Sequence, residues 1–132
     1  DMHSMNHLGG DWVVLLAEEL DEQTARAGLA DGRYYFASTR LHGTTADVAR
    51  VPRIERVTHD AAAGHIAVTA TVAGKPIPDR ACVWISDGQT VHTGSTLPYR
   101  DVTGIGTYVR AEITGDGGTA YTNPFGFVCC EP

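Results

Sequence analysis

After Gly32 the apolar residues of this chain fall into a two-residue period, and that period limits its fold more than any other feature. In residues 66–72, Ile66, Val68, Ala70 and Val72 take alternate positions, with Ala67, Thr69 and Thr71 between them. Side chains of a strand point alternately to opposite faces, so this spacing gives one apolar face and one more polar face. Residues 107–114 repeat it: Val109, Ala111 and Ile113 alternate with Tyr108, Arg110 and Glu112. Residues 33–39, 51–58, 81–86, 89–93, 119–122 and 125–128 read as further strands divided by turn residues. Pro52 suggests an edge position for its strand, and Asp87-Gly88 is the strongest hairpin signal. About seven short strands with turns at this spacing predict a mainly β fold, an antiparallel immunoglobulin-like β-sandwich over residues 33–132.

The opening, residues 1–32, reads differently. Residues 12–17 form an unbroken apolar run, expected to be a strand buried on both faces. Asp21 is a plausible helix N-cap, and Glu22 falls in the first turn beside the positive end of the helix dipole. Ala25, Leu29 and Ala30 can share a helix face, and Asp31-Gly32 closes the helix with a residue suited to positive φ. The boundary between this strand-helix segment and the sandwich is placed at Gly32.

Composition narrows the function classes. The 132 residues carry 10 Lys+Arg against 16 Asp+Glu, a formal charge of −6. A nucleic-acid binder needs a basic stripe to displace counterions, and this balance argues against one. No apolar run approaches the roughly 20 residues that span a bilayer. The start lacks the basic region and apolar stretch of a signal peptide, and Asp1 in place of Met suggests a fragment or processed chain. Cys82, Cys129 and Cys130 are too few and too poorly spaced for a disulfide framework or a zinc knuckle. They point to a reduced, cytoplasmic protein with Cys82 inside a strand, with a redox role for the tail pair as the other reading.

One group of residues has a chemical accent. Asp1 and His3 stand two apart, so on an extended backbone their side chains lie on one side and can grip one cation. The competing reading is a solvated histidine at a chain end. His42, His59, His65 and His92 form no paired motif, and neither Ser38 nor Ser86 sits in a nucleophile elbow. Trp84 reads either as core or as an exposed platform for stacking a sugar. Asn123 before Pro124 must be extended, with its side chain free to bond nearby backbone and pin the turn into the last strand.

Two stretches together resemble a known family. Asp1-Met2-His3-Ser4, the strand that follows, Leu20-Asp21-Glu22-Gln23 and Gly32-Arg33-Tyr34-Tyr35-Phe36-Ala37-Ser38-Thr39 resemble the last segment of a PHP (polymerase and histidinol phosphatase) metallohydrolase domain. Residues 108–113, 117–124 and 127–128 resemble a β-sandwich appended to some of those proteins. The resemblance implies a two- or three-metal hydrolase, often a phosphoesterase, using Zn, Mn or Fe to activate water. It assigns Asp1 and His3 as late metal ligands. The H-x-H and other ligands of the family have no counterpart here, so the resemblance implies a chain that is not catalytic alone.

The leading expectation is an accessory C-terminal β-sandwich of a PHP-like metal-dependent phosphoesterase. Its partner would be the catalytic domain of the parent chain, with a homo-oligomer as a further possibility. On this reading residues 12–17 should expose apolar surface where the rest of a barrel belongs. The alternative is an independent binding module for carbohydrate or protein, with Trp84, Tyr99 or Tyr108 on its contact face.

Overall fold

A computed structural model of the chain describes residues 9–39 and 48–127. In chain order it contains β1 (Asp11–Leu15), α1 (Glu22–Ala30), β2 (Tyr34–Thr39), β3 (Arg53–Asp60), β4 (His65–Val72) and β5 (Lys75–Pro76). There follow β6 (Cys82–Ser86), β7 (Gln89–Thr93), β8 (Thr96–Pro98), β9 (Tyr108–Thr114), β10 (Gly118–Thr122) and β11 (Phe125–Gly126). Single 3₁₀ turns at Val48–Arg50 and Asp79–Ala81 complete the described elements.

The strands form two antiparallel sheets. The larger has the order β1-β2-β10-β9-β6-β7, with β11 also pairing with β9. The smaller has the order β3-β4-β5, with β8 beside β4. Residues from both sheets make one core: Trp84, Val109, Ala111, Ile113 and Ala120 from the larger, Ile54, Ile66, Val68 and Leu97 from the smaller. The expected mainly β sandwich is therefore present. Its described strands number eleven rather than about seven. The strands not read from the sequence are β5 and β8, pairings of two and three residues too short to show a period.

Local chemistry explains most elements. Asp21 caps α1 as its spacing predicts, its carboxylate accepting the Thr24 N–H at 2.8 Å. That bond, then one from the Thr24 hydroxyl, holds the Asp21 carboxyl below its ordinary pKa. Past α1, Gly32 turns the chain at φ +70°. The Asp87-Gly88 hairpin closes with positive φ at both residues, 48° and 77°, the geometry whose twist matches its flanking strands.

Three expectations need correction. The strand in the opening apolar run is not buried on both faces: its inward side packs on the core, and its outer side is left uncovered by the described residues. Among the described residues β1 is the edge of the larger sheet, paired with β2. Trp12 and Val14 pack against the core, whereas Val13 is 47 % exposed. Nor does α1 bury an Ala25–Leu29–Ala30 stripe. Leu29 and Ala30 are exposed, and Gly28 is the buried position, lying over Leu15. Finally, Asn123 reaches farther than a local turn. Its Nδ2 donates to the Gly32 carbonyl at 2.7 Å, tying the end of α1 to the segment after β10.

Candidate functional site

The antiparallel pairing of β1 with β2 sets Trp12 opposite Ala37, Val13 opposite Phe36, and Val14 opposite Tyr35. Alternation then sorts these residues onto two faces. On the outer face, Val13, Phe36 and Tyr121 lie in register across β1, β2 and β10, and Glu112 and Val83 continue the row across β9 and β6. Phe36 is 41 % exposed, and Tyr34 meets it edge-on with ring centroids 5.4 Å apart. Leu16, just past the end of β1, is exposed as well but is in phase with Trp12 and Val14 and so falls outside this row. Arg110 pairs with Glu112 at 2.7 Å, setting a half-buried ion pair past the apolar end of the row. Water-exposed aromatic and aliphatic residues that adjoin one another in this way mark a surface suited to being covered.

The inner face of the same two strands lines a cleft of about 560 Å³. Trp12, Val14, Tyr35 and Ala37 form one wall; Val51, Pro52 and Ala73 face them, with Arg53, Glu55 and Thr71 among the lining residues. The cleft lies where the edge strands of both sheets, β1 and β3, come together. Burial raises the Tyr35 phenol above its ordinary pKa, opposed by a hydrogen bond at the Ile54 backbone. Thr71 Oγ1 donates to Glu55 Oε1 at 2.9 Å, and Arg53 reaches the same oxygen at 3.5 Å. These polar groups satisfy one another, and no nucleophile–base pair stands among them.

The residues singled out for chemistry are dispersed. Asp1 and His3, the proposed metal ligands, lie outside the described residues, as do His42, Cys129 and Cys130. Among the described residues no group of three or more His, Cys, Asp or Glu could hold a metal ion. Trp84 is 0 % exposed, and its indole N–H donates to the Gly94 carbonyl at 2.9 Å, so it is core and not a sugar platform. Tyr99 is half-buried between His59 and Phe127, its hydroxyl 3.2 Å from His59 Nε2. Ser86 works structurally: its hydroxyl donates to the Tyr108 carbonyl and accepts the Gly106 N–H. No helix among the described residues is long and apolar enough to cross a membrane.

Cys82 is buried, as its place in a strand predicts, and desolvation, with a smaller push from Asp79, raises its thiol from 9.0 to about 11. A proton held more tightly in the folded than the unfolded state stabilises the fold while the unfolded thiol is also protonated. That contribution is whole below pH 9 and is lost as pH rises toward about 11. Urea titrations across that window should show a shallower alkaline loss of stability in Cys82→Ala than in the parent. At neutral pH the native Cys82 should resist thiol reagents.

Comparison with protein-family models, with curated proteins and with solved structures finds no match to this chain. The β1–β2 region is the candidate site on geometry alone. The sequence flagged its apolar run but not Phe36, Tyr34 or Tyr121. The alternation of residues 34–38 was the signal that could have put Tyr34 and Phe36 on an outer face.

Proposed function

We propose that this chain is an accessory β-sandwich of a PHP-like metal-dependent phosphoesterase, not catalytic alone, whose outer β1–β2 face is covered by the catalytic domain. The observation that supports this reading is the uncovered apolar surface of Val13 and Phe36 on that face. Val13 lies on β1, the first described strand after Asp1 and His3 in the sequence, and Phe36 is its partner on β2. An extended chain advances about 3.5 Å per residue, so a metal site built on His3 lies no farther than about 28 Å from Asp11 along the chain. The domain completing that site would therefore sit close to this face. In this role Asp1 and His3 contribute a carboxylate oxygen and an imidazole nitrogen to a Zn, Mn or Fe centre, and the remaining ligands come from the catalytic domain. When bound, the metal supplies an activated water for hydrolysis. A cytoplasmic setting belongs to the same reading, since three cysteines, two of them adjacent, do not make a disulfide framework.

Hydroxyl-radical footprinting tests the coverage. In the protein expressed from its complete gene, Tyr34 and Phe36 should oxidise several-fold more slowly than in the 132-residue chain. Equal oxidation in both would remove the reading. The alternative, an independent module that binds carbohydrate or protein, loses its best sugar platform with the burial of Trp84.

A further inference from the structure

A sheet edge is a template for another strand unless something blunts it. Among the described residues, most edges here are blunted. On β3, Arg53, Glu55, Arg56 and Asp60 are charged, Pro52 precedes it, and its register with β4 shifts between Ile54 and Arg56. On β7, the pairing with β6 shifts between Trp84 and Ile85. The segments β5 and β8 are two and three residues long. In contrast, β1 has no proline and no register shift, and its one charge is Asp11.

Hydrogen bonding shows what that edge offers. Leu16 donates its N–H to the Arg33 carbonyl at 2.9 Å, and the Gly10 carbonyl accepts the Thr39 N–H at 2.8 Å. With Trp12 opposite Ala37 and Val14 opposite Tyr35, the even-numbered residues of β1 bond to β2. The N–H and C=O groups of Asp11, Val13 and Leu15 therefore point away from the sheet. Directly beneath lies the cleft lined by Trp12, Val14, Val51 and Pro52. A strand laid along β1 would direct alternate side chains into that gap. The ends of the edge are acidic. Asp11 begins it, exposed Glu18 and Glu19 follow it, and nearby Arg33 is engaged by Asp31 at 3.2 Å. The whole chain carries −6.

We propose that the edge of β1, unpaired among the described residues, is a strand-addition site for an extended peptide segment with alternating apolar side chains and basic flanks. Main-chain hydrogen bonds to Asp11, Val13 and Leu15 hold the segment, and the cleft selects its inward side chains. Charge at Asp11, Glu18 and Glu19 favours lysine or arginine at its ends. The inference does not rest on the accessory role: it concerns the edge of this chain alone, and metal binding and hydrolysis are no part of its test.

The probe is a fluorescein-labelled peptide of about eight residues, alternating valine and threonine, with lysine at each end. Titration with the 132-residue chain should give a saturating rise in anisotropy. Val13→Pro removes an outward N–H without touching a bond to β2, and should weaken binding about tenfold or more. The same peptide N-methylated at alternate backbone nitrogens should not bind, a comparison that leaves the protein unaltered. Absence of binding up to about 1 mM would overturn the proposal. So would equal binding of the N-methylated peptide or of a version flanked by glutamate. A free chain that is already a dimer, with the Val13 amide protected from exchange, would assign the edge to a second copy and overturn it as well.

Discussion

Replacing Trp84 by alanine should destabilise the fold by about 3–5 kcal/mol and give a lower urea midpoint than Gly118→Ala or Cys82→Ala. The side chain is completely buried, packs against Phe125 at 6.2 Å between ring centroids, and gives its N–H to the Gly94 carbonyl. Deleting a buried tryptophan costs about 3–5 kcal/mol through lost transfer energy and the cavity left behind. A domain of this size has about 5–15 kcal/mol in all. The Gly94 carbonyl would also lose its partner, which raises the cost further. Trp84→Phe separates the two contributions, because it keeps most of the apolar contact and loses the hydrogen bond. Urea titration should place its midpoint between those of the parent and Trp84→Ala. Similar midpoints for all three proteins would mean that Trp84 is not the centre of the core.

Gly118→Ala should be nearly as damaging, for a different reason. Gly118 begins β10 opposite Thr39, and a Cβ there would collide with the Ser38 carbonyl oxygen, backbone that cannot move without opening the pairing of β10 with β2. Overpacking costs about 1–3 kcal/mol where side chains can yield, and more where backbone is the obstacle. Because among the described residues β1 joins the sheet only through β2, the loss should not stay local. Hydrogen exchange should quicken in β1, β2 and β10 together, while β3 and β4 keep their protection. Unchanged exchange in β2 would show that the strands can separate slightly at little cost.

Both effects depend on contacts between distant parts of the chain, which marks the limit of what the sequence discloses. Elements governed by local chemistry were legible: the Asp21 cap, the Asp87-Gly88 turn, and the alternation in β4 and β9 all rest on neighbouring residues. The two-sheet sandwich follows from them. The opening apolar run reads as a doubly buried strand because an unbroken apolar run does not say whether a second layer packs on its outer face. Its single partner, β2, is a pairing across the helix. Similarly, the bond from Asn123 to the Gly32 carbonyl spans 91 residues, and nothing near either position announces it. The candidate site was half legible. The prediction that residues 12–17 should leave apolar surface uncovered agrees with Val13 and Leu16, whereas Phe36 and Tyr121 join Val13 only through strand register.

The accessory role is tested most directly by metal. Protein purified from its complete gene should carry Zn, Mn or Fe by elemental analysis and hydrolyse bis(p-nitrophenyl) phosphate. His3→Ala should lose most of both while keeping the urea midpoint of the sandwich. A complete gene product that is metal-free, inactive with added Mn or Zn, and indifferent to the loss of His3 would contradict the account.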